Sequence, residues 1–333
     1  MTRADRNEAR SGHDARLAGM VILIAMLSLP AINPEKIGWL ASLVPIPVFY
    51  YLVRLGSKEG FALIRTAVLL AGGAAMLFGS LPLLIFSLTL VPLGFVFFQS
   101  ARNHETPVRA GFNGVVILGL LWLTFWTIFG ITQQTNPYKD LLVTMDQGIT
   151  GAFAIYRETA NLPAENTPHI EAAFEQLRII VPKILPALLI TGILGTVWMN
   201  LALGNWLLKK RGLKLAPWRD FSEWQLPDNL VWGVIGSAFA LIFFTEPLNI
   251  IGLNVLLIWG ALYAIQGLAI LVSLLAKWAV PAPFRTLIYI LLVIQSYGIV
   301  LLIIVGVADV WSDFRHLNKK EENGESSHSQ TDG

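Results

Sequence analysis

The chain has 333 residues, of which 55% are hydrophobic and 14% charged, with no cysteine and a formal net charge of +2. Soluble domains carry about 25% charged residues, so this composition, with a mean hydropathy of +0.61, excludes an ordinary soluble domain. The lack of cysteine excludes disulfides, thiolate nucleophiles, iron–sulfur clusters and cysteine zinc sites. So small a net charge, spread over the loops, also points away from nucleic acid.

Residues 1–16 form a basic tail with Arg3, Arg6, Arg10 and Arg16. No small-x-small cleavage site follows, so the run behind it reads as an uncleaved first span and not as a signal peptide. Nine apolar runs then cover roughly residues 17–32, 37–53, 61–78, 81–98, 111–131, 180–207, 229–245, 250–275 and 286–308. A bilayer core about 30 Å thick takes about 20 apolar residues as helix. Lipid offers no hydrogen-bond partners, so each run is expected to be helical. The expected fold class is all-α: a polytopic transmembrane helical bundle of eight or nine spans, with an amphipathic helical pair in the central loop.

The first five runs, within 17–131, are joined by short turns marked by Pro34 and by Gly79-Ser80-Leu81-Pro82. In the 132–179 loop, Leu141, Met145, Ile149, Phe153 and Tyr156 recur every three or four residues and share one helix face. Asn161-Leu162-Pro163 breaks that helix, and Thr167-Pro168 supplies an N-cap and a first-turn proline for a second one through Arg178. The pair is expected to lie on the outer membrane surface. Four further runs fill 180–308. The segment 309–333 is a polar tail, and from Lys319 on it is expected to be disordered.

Lysine and arginine asymmetry gives the orientation. With the N-terminus in the cytoplasm, the inside segments hold the four N-terminal arginines, Arg54, Lys58, Arg102, Arg109, Lys209, Lys210, Arg211, Lys214, Arg219, Lys277 and Arg285. The opposite side holds Lys36, Lys139, Arg157, Arg178, Arg315, Lys319 and Lys320. The ratio, fifteen to seven, favours a cytoplasmic N-terminus in a bacterial inner membrane. Nine spans put the basic end of the tail outside, against that rule. A re-entrant run would leave eight crossings.

Residues able to carry chemistry are few. The five histidines (His13, His104, His169, His316, His328) lie outside the apolar runs, and none has another at ligand spacing. No G-x-x-x-x-G-K-[ST] or G-x-G-x-x-G motif is present, so no cofactor is implied. Inside the runs, Gly192, Thr196, Asn200 and Gly204 fall on one face, which reads as a helix–helix seam open to a partner membrane protein. Small pairs recur at Ala71/Ala75, Gly236/Ala240 and Gly260/Ala264. Asn200, Asn254, Tyr263, Gln266 and Gln295 are the candidate ligand-binding residues, because an amide deep in a span needs another helix or a solute. Asp309 and Asp313, one helical turn apart, form an interfacial acidic pair. It reads as a cation site or as an interfacial cap paired with Arg315 or a loop lysine.

The stretch Gly306-x-x-Asp309-x-Trp311-x-x-Phe314-Arg315 resembles the end of the YybS-like family of bacterial membrane proteins of unknown function. Three further pieces resemble it: Trp224-Gln225-Leu226-Pro227 before Leu230-Val231-Trp232, Gly252-x-Asn254, and Leu262-Tyr263-x-x-Gln266-Gly267-Leu268-Ala269. Val44-Pro45-Ile46-Pro47 with Gly56 and Gly60 resembles its N-terminal half. That proline–glycine pattern is also similar to the substrate-capture subunits of energy-coupling-factor transporters, which bind a vitamin or metal. The family brings no catalytic or binding residues to carry over.

The expectation is therefore a non-catalytic, solute-binding or transport-related component of the bilayer, with a small-molecule solute. The alternative is a membrane scaffold or assembly factor without a solute, whose basic 209–219 loop meets a cytoplasmic protein or anionic lipid. An intramembrane lipid-acting enzyme using Asp309 and Asp313 is the third reading.

Overall fold

The structure is a computed structural model that describes residues 3–78, 81–159, 167–213, 218–312 and 314–315. Every regular element among the described residues is helical, which satisfies each segment's backbone internally as lipid demands. The chain divides into two compact units, Met1–Leu141 with Ile193–Trp218, and Leu142–Gly192 with Arg219–Gly333.

In the first unit, α1 (Arg3–Ile32) takes in most of the basic tail, so that segment is helical from Arg3 and continuous with the first apolar run. The short α2 (Pro34–Ile37) starts under Asn33, whose side chain accepts the Lys36 N–H at 3.3 Å. A 3-10 turn, Gly38–Leu43, leads into α3 (Pro45–Phe78). Within α3, Gly56 stands at φ 81° and ψ 167°, a backbone state that a side chain resists. A methyl group placed on Gly60 would lie 2.9 Å from the Leu52 Cα. Eight residues of straight helix separate two positions by about 12 Å, so the chain folds back on itself at Gly56. The apolar runs on either side of this point thus form two arms.

Next come α4 (Leu81–Leu88), α5 (Val91–Arg102) and α6 (Pro107–Gln133). Thr106 caps α6 by accepting the Arg109 N–H at 3.3 Å, with Pro107 in the first turn where no N–H is needed. The core of this unit is built on Phe49, which meets Phe97 at 6.0 Å and Trp218 at 5.8 Å between ring centroids. Gly94 and Gly204 let the neighbouring backbones approach: a methyl group on Gly94 would meet Val48 at 2.5 Å, and one on Gly204 would meet Phe49 at 3.0 Å.

The helix α7 (Pro137–Thr159) carries the predicted stripe: Leu141, Met145, Ile149 and Phe153 are half-buried, while Tyr156 is exposed. Phe174 meets Phe153 at 5.0 Å, and Arg178 donates to Thr150 at 2.8 Å and pairs with Asp146 at 3.4 Å. The second predicted helix does not stop at Arg178. It continues through the sixth run as the 44-residue α8 (Thr167–Lys210), despite Pro182 and Pro186. At 1.5 Å per residue this helix is about 66 Å long, roughly twice the hydrocarbon core. Its residues to 192 belong to the second unit, those from 193 to the first. Asn161-Leu162-Pro163, Gly79-Ser80 and Lys214 lie outside the described residues.

The second unit is completed by α9 (Val231–Phe243), α10 (Leu248–Lys277), α11 (Ala282–Ile294) and α12 (Ser296–Ser312). The ninth run is not one helix, since α11 and α12 are bent 104° to each other across Gln295. Asp313, His316, His328 and the tail from Lys319 lie outside the described residues.

Among the described residues, five helices are long and apolar enough to cross a membrane, six if the bent pair is one span. That is fewer than the eight or nine expected. The difference has two sources. Pro34–Leu77 counts as one helix although it folds back at Gly56, and Arg16–Ile32 and Asp228–Phe243 are shorter apolar helices.

Candidate functional site

Three of the four sequence motifs after residue 220 converge on one buried network in the second unit. It begins with two glycines. A methyl group on Gly267 would overlap the Leu302 carbonyl, and one on Gly306 would overlap the carbonyl of Tyr263. The pairings 267/302 and 263/306 run in opposite directions, so α10 and α12 cross as antiparallel helices in backbone contact. The helix α9 packs against the other end of α10: a methyl group on Gly252 would lie 2.8 Å from the Leu241 N, and one on Gly233 would meet the Trp259 ring.

This close approach brings Gln266 to Asp309, which stands beside the middle of the 30-residue α10. The Gln266 Nε2 donates to Asp309 Oδ2 at 3.1 Å, and its Oε1 accepts the Leu226 N–H at 3.1 Å. Asp309 receives two further donors: the Phe314 N–H on Oδ1 at 3.0 Å and the Arg315 Nη2 on Oδ2 at 2.9 Å. Arg315 spends its Nη1 on the carbonyls of Ser222 (3.0 Å) and Trp224 (2.8 Å). The side chains of the ion pair are 2% and 1% exposed.

Removing two charges from water costs several kcal/mol per ion, and the pair survives only if its remaining donors and acceptors are satisfied. Here the carboxylate is fully engaged. Arg315 also places a cation at the C-terminal end of α12, where the helix carbonyls carry partial negative charge. The network ties three pieces of chain together: the 222–226 segment, α10 and the end of α12. Two buried atoms beside it, Tyr263 Oη and Arg315 Nε, have no hydrogen-bond partner among the described residues.

The other candidates stand apart from this network. In the same unit, Asn254 bridges to α8 directly after Pro186: its Oδ1 accepts the Ala187 N–H at 2.9 Å, and its Nδ2 donates to the Lys183 carbonyl at 2.8 Å. Those two groups bond to each other in a regular helix, and one amide can answer both where a proline disturbs the turn. At the same end Lys183 pairs with Glu246 at 2.6 Å, half-exposed and so worth little. Asn254→Leu should lower the stability of the purified protein by about 1–3 kcal/mol, because it leaves buried backbone groups unanswered. Thermal unfolding followed by tryptophan fluorescence reads this, and an unchanged transition refutes the bridge.

Asn200 lies in the first unit, fully buried, and donates to the Ser42 carbonyl at 2.7 Å and the Thr196 carbonyl at 2.8 Å. It thereby satisfies the end of the Gly38–Leu43 turn. With Gly204 against Phe49, the expected seam is present at 200–204, whereas a methyl group on Gly192 would meet nothing within 4 Å. Gln295 is exposed in the break between α11 and α12. Asp313, the other member of the expected acidic pair, lies outside the described residues.

Within the second unit Gln266 and Asp309 meet beside Tyr263, whereas Asn254 bonds to α8 and Gln295 is exposed; Asn200 belongs to the first unit. Sequence reasoning missed the carbonyl clamp of Arg315 and a polar turn in the first unit. There Glu105 accepts from Ser100 at 2.7 Å and Asn113 at 3.2 Å, while its own carbonyl accepts from Trp218 at 2.8 Å. Its only sequence signal is its place just before the Thr106-Pro107 helix start.

A family model described as a predicted membrane protein (DUF2232) matches residues 18–310. The chain belongs to this family. The matched stretch of this DUF2232 protein contains all five candidate ligand residues and Asp309, and ends before Arg315. With several helices apolar enough to span, membership makes it a multi-pass membrane protein. No curated protein and no solved structure matches the chain.

Proposed function

We propose that this protein is a non-catalytic scaffold or assembly component of the bacterial inner membrane, with its N-terminus in the cytoplasm. One observation carries the reading: three of the four amides that stood as solute ligands make hydrogen bonds within their own units. Asn200 caps a turn, Asn254 bridges a proline-disturbed helix, and Gln266 serves the Asp309–Arg315 clamp. Space for a partner helix is present on α9, where a methyl group on Gly236 would meet nothing within 4 Å. A crossing number of eight or nine belongs to this reading. The fold-back at Gly56 and the two shorter apolar helices give each of the nine runs its own segment, and a re-entrant α11–α12 pair gives eight. Assignment to the YybS-like group is supported by the meeting of three of its four C-terminal motif pieces in one network.

The test is a paired experiment on the full chain. Crosslinking in membranes should capture a stoichiometric protein partner, and a broad metabolite panel should leave the melting temperature unchanged. Saturable stabilisation by a small metabolite, with no partner captured, overturns the scaffold reading.

A second reading, solute handling, has one specific support. Helices broken at depth are where transporters bind their solutes, and the exposed Gln295 occupies such a break. On that reading a stabilising metabolite loses its effect in Gln295→Ala. A lipid-acting enzyme draws no support from Asp309, whose carboxylate is occupied by three donors.

A further inference from the structure

One end of the first unit gathers cations from four separate stretches of chain. Arg16, at the start of the apolar part of α1, pairs with Glu59 just past the Gly56 fold-back. Arg54 and Lys58 flank that fold-back, and Arg54 and Arg211 both act electrostatically on the Tyr51 hydroxyl. Trp218, packed on Phe49 and bonded to the Glu105 carbonyl, stands at the α5–α6 turn. Arg102, Arg109, Lys210 and Arg211 therefore share the end that carries Arg54. All of these cations are exposed.

The two carboxylates described at this end are already engaged. Glu59 holds Arg16, and Glu105 turns inward to Ser100 and Asn113 with Arg109 at 3.7 Å. Arg54, Lys58, Arg102, Lys210 and Arg211 have no carboxylate partner among the described residues. Three of them rest on aromatic rings: Arg54 over Tyr50 (5.9 Å), Arg102 over Phe98 (5.9 Å) and Lys210 over Trp206 (4.7 Å). Trp206 is itself 57% exposed. Lys210 above the outward-facing Trp206 ring has the layout of a membrane-interface anchor, and its cation then stands at the depth of the lipid phosphates.

We propose that this end of the first unit binds the headgroups of anionic phospholipids, with Arg54, Arg102, Lys210 and Arg211 as contact residues. The proposal stands whether or not the scaffold reading does. A basic side chain at such a surface adds enough attraction for about a fivefold gain in association, so four together give a selectivity that one or two scattered charges would not.

Native mass spectrometry of the full chain in detergent, titrated with phosphatidylglycerol and separately with phosphatidylcholine, tests it. Phosphatidylglycerol should bind at least tenfold more tightly, and the preference should disappear in about 0.5 M salt, where the screening length falls to a few ångströms. The R54Q/R102Q/K210Q/R211Q variant should lose the preference, and R54K/R102K/K210R/R211K should keep it. Equal binding of the two lipids, or a preference that persists in high salt or in the neutralised variant, overturns the proposal. If the neutralised variant does not fold, the lipid preference and salt response of the parent chain decide.

Discussion

Asp309→Ala should destabilise the purified protein by about 3–5 kcal/mol, because it leaves the Arg315 charge buried without its counter-ion. Arg315→Ala should do the same in reverse, and it also strips the Ser222 and Trp224 carbonyls of their donors. The double variant should be less damaged than the sum of the two singles, with a coupling energy of about 0.5–3 kcal/mol. Thermal or denaturant unfolding of the four proteins in one detergent measures it. Additive effects within about 0.5 kcal/mol would show that the two groups do not act as a pair. Gln266→Leu provides an internal comparison: it removes one of three donors to the carboxylate but leaves the charges matched, so it should cost less than either charge deletion.

Gly306→Leu should abolish the folded second unit, and Gly306→Ala should already cost more than the 1–3 kcal/mol typical of overpacking a core. The neighbour of an added methyl group is the Tyr263 carbonyl, part of a helix backbone that cannot swing aside as a side chain can. Gly267→Ala should behave alike, because the Leu302 carbonyl blocks it in the same way. Gly236→Ala is the control: a methyl group there meets nothing within 4 Å, so its effect should stay within about 0.5 kcal/mol. Equal melting temperatures for the Gly306 and Gly236 alanine variants would rule out the close α10–α12 crossing.

These expectations show which parts of the site were legible in the chain. Gln266 attracts notice in sequence because a polar group in an apolar run needs a partner, and Asp309 because it stands one turn from Asp313; the two meet each other. The partner's identity is not a local property. Gln266 reaches a residue 43 positions away, Asn254 one 71 away and Asn200 one 158 away. Spacing also misleads: Gly192 shares a helical face with Asn200 and Gly204, yet only the latter two meet the first unit's Gly38–Leu43 turn and Phe49. The joining of the 167–178 helix to the sixth run, which already held Pro182 and Pro186, was equally invisible, because no local signal distinguishes a continuous helix from two at residues 178–180. Within lipid-facing and packed surroundings other groups re-satisfy the backbone that proline frees, and Asn254 is such a group.

By itself the sequence determined the solvent, the helical class and the location of the turns. Hydropathy averages over about 20 residues, and proline and glycine act on their own backbone. Gly56 breaks α3 and Thr106 starts α6 for reasons confined to a few residues. Only the tertiary structure decided what the buried polar groups are for. A carboxamide presents the same donors and acceptors to a solute, a carbonyl or a carboxylate, and which of these arrives depends on helices brought together from distant parts of the chain. Asp309 and Arg315, neighbours in sequence, became a clamp only when Gly267 and Gly306 let α10 and α12 touch and carried the 222–226 segment within reach.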